Sequence, residues 1–275
     1  MIRFVTAPVL VLLICARSLG ADEPVLQPTA EQILKRWRAA AATTERLDVT
    51  FARFIYDETF KTTKTATGRL YMERSGRCHI RLEPSTQLPV STRRDDTTGK
   101  PYTIKPDDAN TFIWLPDKLL LIDPDRKTCN QICFTNAAAN EHHDAEFGGF
   151  FQFIANGMRA YESAFLCKAL DDNFLSEFLV RFDVSVSQNK ASTVLQATPM
   201  QGDDARHIKL LKLAFSKSSA FPAAMSTVDP AGTKEIVVVF GTPTLNDVPR
   251  DTKQLFDPNL EGFAVRTSRP ADNEK

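Results

Sequence analysis

The adjacent residues Cys78 and His79 could support nucleophilic chemistry, because an imidazole beside a thiol can remove its proton. Both residues lie in the segment CHIRLE, whose pattern predicts a β-strand. Successive side chains of a strand point to opposite faces of the sheet, so these two groups cannot share a hydrogen bond there. We therefore expect no catalytic dyad at this position.

A second polar group lies in the segment NEHHDAEF and offers carboxylates and imidazoles that could bind a metal ion. Its members are Glu141, His142, His143, Asp144 and Glu146. Adjacent ligands seldom converge on one ion without a turn between them, and no third, distant histidine is an obvious partner. A solvated loop is the preferred interpretation of this segment.

The chain contains no G-x-S-x-G motif, no glycine-rich phosphate loop and no H-E-x-x-H motif. We predict that the protein is not an enzyme and that it has no catalytic residue, no bound metal and no cofactor. An exported hydrolase that uses Cys78, His79 or the His142–His143 pair is the alternative.

Charge is balanced over the whole chain, which has 34 basic and 34 acidic residues. This balance gives no electrostatic reason to expect nucleic acid or an anionic membrane surface as a partner. The stretch ATGRLYMERSGRCHIRL is locally basic, with Arg69, Arg74, Arg77 and Arg81. Arg74 differs from the others because it lies where a strand is about to turn.

The first twenty residues have the pattern of a secretory signal peptide. Arg3 precedes an apolar run at residues 9–16, and Ser18 and Gly20 are the small residues expected before a cleavage site. The run is too short to span a bilayer, which needs roughly 20 residues. Cys15 raises the alternative of lipid attachment, although Ile14 before it is bulky. We expect a periplasmic or otherwise exported protein from which this signal peptide is cleaved.

Four cysteines remain after the leader, namely Cys78, Cys129, Cys133 and Cys167. An even number in an exported chain permits disulfides, with three possible pairings. If KTCNQICF is a strand, Cys129 and Cys133 lie on one face roughly 13 Å apart, and a disulfide needs Cα atoms within about 7 Å. These two cannot then pair with each other, and both bonded and free thiols stay open.

Thr29 and Gln32 form a capping box that predicts the start of an amphipathic helix. Its apolar face would contain Ile33, Leu34 and Trp37, with the alanines at residues 39–42. The next segment, LDVTFARFIY, alternates apolar and polar residues and then slips by one position in its second half. That slip predicts a strand with a bulge.

Later segments complete the pattern of one α+β domain over residues 21–265, followed by a polar tail at 266–275. Residues 84–110 are polar and indicate a long inserted loop, and residues 147–172 indicate one or two helices. From residue 177 onward the patterns indicate strands and turns, including a hairpin connection at residues 228–233. The fold class expected is α+β with one large, curved antiparallel sheet.

Aromatic residues are skewed towards phenylalanine, with 19 Phe against 4 Tyr, which adds apolar area without hydroxyl groups. Phe150, Phe151, Phe153 and Ile154 concentrate this area just after Gly148–Gly149. Such a helix either packs on the sheet as core or covers an apolar cavity as a lid that opens at the two glycines.

Four short motifs, each present once, follow one another in a specific order along the chain. Residues 51–53 fit F-x-Q with Arg53 in place of Gln, and residues 68–75 fit G-x-L-[aromatic]-[apolar]-x-R-P with Ser75 in place of Pro. Residues 117–124 and 256–265 fit a further strand pattern and a C-terminal F-x-P-x-x-G-type pattern. In these motifs the chain resembles, over roughly residues 29–265, the periplasmic carriers of outer-membrane lipoproteins, the LolA-like family.

The resemblance implies an incomplete, strongly curved antiparallel β-barrel that is closed by helices on its concave side. The cavity of such a carrier takes up the acyl chains of a lipoprotein. Arg74 falls on the arginine that hydrogen-bonds to the helical lid when the carrier is empty. Cys78 falls where the family tends to have an exposed phenylalanine that docks on the release machinery, so a change of handover partner is implied.

We therefore predict an exported carrier that shields acyl chains in an apolar cavity. Its ligand-binding residues would be Phe51, Leu70, Met72, Arg74, Ile80, Phe150, Phe151, Phe153 and Ile154. Its partners would be the acyl chains of a lipoprotein or lipid and a membrane-bound donor or acceptor protein, with the carrier itself a monomer. A periplasmic regulatory module of the same fold, which senses lipid or lipoprotein, is the alternative.

Overall fold

The computed structural model describes residues 28–85, 91–133, 158–189, 191–200, 202–247 and 252–268. The expected leader, the His142–His143 pair, the Gly148–Gly149 hinge and the predicted lid residues Phe150, Phe151, Phe153 and Ile154 lie outside these ranges. What the sequence indicates about those residues stays a prediction.

Strands dominate the described part of the chain. They are β1 Arg46–Asp57, β2 Thr62–Glu73, β3 Cys78–Pro84, β4 Thr103–Pro106, β5 Asn110–Leu115, β6 Lys118–Asp123, β7 Thr128–Cys133, β8 Phe182–Gln188, β9 Ser192–Pro199, β10 Leu210–Ser216, β11 Pro222–Val228, β12 Lys234–Phe240, β13 Thr244–Leu245 and β14 Ala264–Ser268. The helices are α1 Ala30–Ala42, α2 Met158–Cys167, α3 Asp172–Arg181, α4 Gly202–His207 and α5 Lys253–Phe256. None of these helices is both long and apolar enough to cross a membrane.

All fourteen strands belong to one sheet, in the order β14-β7-β6-β5-β3-β2-β1-β12-β11-β10-β9-β8. β13 pairs with β1 and β4 pairs with β2 outside this path. The pairs β14–β7 and β4–β2 are parallel and the others are antiparallel. The order has two ends, β14 and β8, so the sheet is not closed within the described residues.

The helices α1, α2 and α3 pack on one face of the sheet, which we call the inner face. α1 and α3 contact β8 at one end of the strand order, whereas α2 contacts β3 near its middle. One continuous hydrophobic core joins the three helices to both halves of the sheet. The sheet must therefore curve around the helices, and the predicted α+β fold with helices on the concave side is confirmed.

The outer face of the sheet carries a second, smaller apolar cluster. It consists of Tyr71, Ile113, Leu120, Ile122, Cys129 and Phe256. Phe256 comes from α5, and the apolar residues around it cover strands that would otherwise expose large side chains to water. The residues after α5 then continue into β14 and extend the sheet beside β7.

The expected bulge in β1 is absent, and that prediction was wrong. β1 pairs with β2 in one unbroken register from Arg46 opposite Glu73 to Asp57 opposite Thr62. The inward alternation continues through Arg53, which is 2% exposed. Phe54 and Tyr56 do not begin a shifted apolar set; they lie on the opposite face and stack on each other at 6.4 Å between ring centroids. Because Arg53 is charged and yet points inward, the alternation of apolar and polar residues only looked as if it shifted by one position.

The predicted start of α1 is confirmed, whereas the predicted strand at residues 177–181 was wrong because these residues belong to α3. The capping box of α1 is present, with the Gln32 amide donating to Thr29 Oγ1 at 3.2 Å. The segment EFLVR, expected as strand, instead ends the helix α3, and β8 begins only at Phe182. Asp171 caps α3 by accepting from the backbone of Asn173 and Phe174. Phe174, Leu175 and Phe178 are buried at a helical spacing, which places the segment up to Arg181 in α3.

The segment between β3 and β5, expected to be a long loop, returns to the sheet before β5 begins. Its strand β4 pairs with β2, and Arg94 and Pro101 form an isolated bridge. Asp107 follows β4 and is buried. This connection therefore brings a carboxylate into the protein interior.

Cys78 and Cys167 form a disulfide that joins β3 to the last residue of α2. Cys129 and Cys133 lie on the same strand, β7, and are not bonded, as their spacing predicted. Burial raises the pKa of the Cys129 thiol. Cys78 is 0% exposed, so its side chain is not part of the protein surface.

Replacing both bonded cysteines, Cys78→Ala with Cys167→Ala, removes the disulfide and leaves no thiol at either position. The bond spans 89 residues of sequence, and its loss should lower the free energy of unfolding by about 2–5 kcal/mol. Urea unfolding without reductant measures this change, and Cys133→Ala, which breaks no bond, is the control. Equal unfolding midpoints for the double variant and the wild type would contradict the role assigned to the bond.

Candidate functional site

An apolar cavity lies between α1, the connection from α2 to α3, and the inner face of the sheet. It is lined by Trp37, Leu47, Val49, Leu70, Met72, Phe165, Leu166, Ala169, Leu213, Phe221, Pro222, Met225, Phe240, Gly241 and Pro243. None of these side chains is charged, and the indole of Trp37 is the one with an N–H or O–H group. The cavity therefore suits hydrocarbon and rejects ions.

The cavity is small in this structure. Its volume is about 40 Å³, and about 470 Å³ when the open mouth and the gaps between lining atoms are counted. The smaller figure leaves room for only about three or four water molecules. Small-molecule sites usually span about 300–1,000 Å³, so a long chain could enter only if a wall moves.

The structure places the predicted binding residues at different distances from this cavity. Leu70 and Met72 line it, with Trp37 facing them from α1. Phe51 and Ile80 are buried in the same core, at 5% and 1% exposure, but are not part of the lining. Trp37, Phe165 and the residues of β10–β12 are lining positions that sequence analysis did not identify, because their strands and helices pair with partners distant in sequence.

Arg74 binds the C-terminal end of α1. Its guanidinium donates to the carbonyl oxygens of Ala41 at 2.9 Å and of Thr44 at 3.1–3.2 Å, and also to that of Ala42. Its Nε lies 3.1 Å from Glu45 Oε1. The last turn of α1 has no basic residue of its own. Arg74 therefore supplies from the β2–β3 turn the positive charge that favours a helix C-terminus.

Asn246 holds the same end of α1 from the opposite side of the turn into β1. Its Oδ1 accepts from the backbone N–H groups of Glu45 at 2.7 Å and Arg46 at 3.2 Å, and its Nδ2 donates to the Thr43 carbonyl at 3.1 Å. Asn246 has a φ of +61°, a conformation that Asn tolerates better than most residues. The sequence analysis did not identify Asn246. The Asn246-Asp247 pair, which is typical of a turn, was the sequence feature that could have indicated it.

A buried cluster of charges ties α2 to the sheet. Arg53 on β1 donates to Glu162 on α2 through Nε at 3.0 Å and Nη2 at 2.8 Å, and to Asp107 through Nη1 at 2.7 Å. All three side chains are at most 3% exposed. Lys64 Nζ lies 3.8 Å from Asp107 Oδ1, so two cations face two carboxylates. Burial opposes the charge of Arg53, but Glu162 and Asp107 outweigh it and raise its pKa.

This charge cluster was not predicted from the sequence. In the sequence, Arg53 was noted only as the residue that replaces Gln in the F-x-Q motif. Its partners Asp107 and Glu162 lie 54 and 109 residues further along the chain. A buried charge is tolerated only when it is paired, so the inward position of Arg53 in the alternation was the available signal.

Cys78 and His79 cannot act as a catalytic pair here. The sulfur of Cys78 is bonded to Cys167 and carries no thiol. His79 lies on the opposite face, where burial and then the Arg81 charge lower its pKa to about 4. Within the described residues no three or more His, Cys, Asp or Glu side chains are grouped to hold a metal ion.

The backbone of this protein is similar to those of several solved structures, at very low sequence identity. No protein-family profile and no curated protein matches the chain. An uncharacterized conserved protein from Thermus thermophilus is 8% identical, with a TM-score of 0.46 over 88% of this chain and 100% of that one. A domain described as an outer membrane lipoprotein-sorting protein from Vibrio parahaemolyticus is 11% identical, with a TM-score of 0.39 over 85% and 100%. A LolA superfamily protein from Nitrosomonas europaea is 9% identical, with a TM-score of 0.36 over 82% and 97%.

The buried charge cluster predicts a large effect of Arg53→Met, which keeps most of the side-chain volume and removes the cation that Asp107 and Glu162 share. The free energy of unfolding should fall by about 3–5 kcal/mol. Arg69→Met on the neighbouring strand is the control, because Arg69 pairs with Asp48 at the surface and should contribute less than about 1 kcal/mol. Urea unfolding compares the two variants, and an Arg53→Met loss no larger than that of Arg69→Met would contradict a structural role for the cluster.

Proposed function

We propose that this protein is an exported carrier that shields the acyl chains of a lipoprotein or lipid in the cavity beneath α1. The observation that carries the proposal is the cavity wall itself, in which fifteen residues from helices and sheet contribute no charged group. An acyl chain exposed to water costs about 0.8 kcal/mol per CH₂ group, so a carrier must offer comparable burial.

The fixed and movable walls of the cavity support this function. Phe165 and Leu166 belong to α2, which the disulfide and the Arg53–Glu162 pair attach to two strands. No disulfide joins α1 to the sheet among the described residues, and its covalent link is the short turn from Ala42 into β1 at Arg46. Its polar contacts are those of Arg74 and Asn246 and an exposed ion pair between Arg38 and Asp172 at 2.8 Å. We therefore assign the opening movement to α1.

Energies favour the same assignment. An exposed ion pair or a charge at a helix terminus contributes up to about 1 kcal/mol. A chain of ten buried CH₂ groups would gain about 8 kcal/mol before the cost of moving α1. The polar contacts of α1 are small beside this gain, and the larger cost of opening is the unpacking of its buried apolar face. Arg74 is the latch in this scheme.

The partner of such a carrier is a membrane-bound protein that donates or accepts the acylated cargo. Release requires an acceptor that offers the chain comparable burial, because the carrier alone has no source of energy for expelling it. No enzymatic step is needed for this cycle.

Saturable binding of a fluorescent acyl probe tests the proposed function, with a pair of variants that each introduce a phenyl ring. Ala169→Phe places a ring in the cavity wall and should weaken binding by about tenfold or more, because overpacking costs about 1–3 kcal/mol. Val180→Phe introduces the same ring at a residue that is 66% exposed and should leave binding unchanged. No saturable binding by the wild type would remove the carrier function.

Arg74→Leu tests the latch. Loss of its bonds to α1 destabilises the closed, empty state by about 0.3–1 kcal/mol, so the dissociation constant of the acyl probe should fall by about two- to fivefold. Arg81→Leu is the control, because Arg81 pairs with Glu83 at the surface and does not contact α1. Equilibrium titration and release into excess vesicles measure the effect. Identical affinity and release for Arg74→Leu, Arg81→Leu and wild type would contradict a latch.

A further inference from the structure

Trp37 carries a buried hydrogen-bond donor with no acceptor in the part of the chain that the structure describes. The residue is 0% exposed, and its Nε1 atom has no hydrogen-bond partner there. Leaving such a group without an acceptor is unfavourable, and buried polar groups in proteins usually have a partner. An unsatisfied donor of this kind calls for an explanation at a binding site.

The indole belongs to the wall of the acyl cavity. Trp37 lies on the buried face of α1 and lines the cavity with Leu70, Met72 and Phe165. The ring also packs edge-on with Phe215, with 5.7 Å between centroids. An aromatic face is a weak acceptor, so this contact does not replace a carbonyl oxygen. Among the side chains that line the cavity, that of Trp37 is the one with an N–H group.

We infer that the indole N–H of Trp37 donates a hydrogen bond to the carbonyl oxygen of a bound acyl group, an ester or an amide. This inference rests on the proposed carrier function and adds the chemistry of the group at the end of the chain. An acyl chain presents its carbonyl at one end only, so the hydrogen bond also sets the orientation of the chain. The hydrocarbon then lies against the remaining apolar lining.

The hydrogen bond makes Trp37 a specificity-determining residue. An ether-linked chain has the same hydrocarbon as an ester-linked one and lacks the carbonyl oxygen. Since one neutral hydrogen bond contributes about 0.5–1.5 kcal/mol, the protein should prefer ester over ether by about three- to tenfold. A hydrophobic wall alone would bind both chains equally.

Synthetic peptides provide the probes. One carries an N-terminal cysteine with a glyceryl group bearing two hexadecanoyl esters, and the second carries the same glyceryl group with two hexadecyl ethers. A third peptide carries one hexadecanoyl amide and distinguishes amide from ester as the source of the carbonyl. Competition with a fluorescent acyl probe gives the affinity of the full chain for each peptide.

Trp37→Phe removes the N–H group and keeps an aromatic ring. We expect this variant to bind the ether peptide as wild type does and to lose the three- to tenfold preference for the ester peptide. Trp114→Phe is the matched control, because it makes the same substitution at a tryptophan that does not line the cavity and should keep the preference.

Nuclear magnetic resonance supplies a readout that does not depend on a variant. The chain has two tryptophans, Trp37 and Trp114, and Trp114 does not line the cavity. In the wild type the indole N–H signal of Trp37 should shift downfield with the ester peptide and not with the ether peptide, whereas the Trp114 signal should respond equally to both. Trp114→Phe assigns the two signals.

The outcomes separate this inference from the proposed function. Saturable binding of both peptides without an ester preference, or an ester preference that survives Trp37→Phe, would overturn the hydrogen bond and leave the carrier intact. Failure of the wild type to bind any of the three peptides would overturn the carrier function and the inference with it. A preference for the amide peptide alone would assign the carbonyl to an N-acyl group.

Discussion

The attachment of α2 to two strands of the sheet is the constraint on which the cavity depends. A disulfide joins the end of α2 to β3, and the buried Arg53–Glu162 pair joins its first half to β1. Each link alone would leave the helix free to pivot, but together they fix both its position and its rotation. The wall that α2 contributes to the cavity is therefore attached to the sheet at two points, and the proposed opening movement is assigned to α1.

α1 is held to the sheet by contacts of a different kind from those of α2. Its buried face packs on the core through Ile33, Leu34 and Trp37, while its C-terminal end is bound by the side chains of Arg74 and Asn246. Polar contacts near the surface are weak compared with the burial of an acyl chain. One wall of the cavity is thus held by a disulfide and a buried ion pair, and the other by apolar packing and polar contacts near the surface. This difference is what the proposed carrier function requires of a wall that moves.

Much of this architecture could be predicted from local sequence patterns, and the omissions have physical causes. The α1 capping box, most strands and the Asp229 hairpin depend on residues close in sequence, and these predictions are confirmed. The pairing of Cys78 with Cys167 and the partners of Arg53 depend on contacts across 89 and 109 residues, which no local pattern encodes. Arg53 also misled the strand prediction, because a paired arginine can occupy an inward position that the alternation reserves for apolar residues. Leu70 and Met72 were identified as candidate lining by alternation alone, whereas Trp37 was expected only as part of a helix face.

Mass spectrometry of the lipids that co-purify with the full-length protein, recovered from the exported fraction of cells that produce it, tests acyl-chain binding most directly. The proposed function predicts acylated molecules at close to one per protein, which leave when a membrane acceptor is supplied. Protein recovered in folded form with no more lipid than an unrelated exported protein of similar size would contradict it.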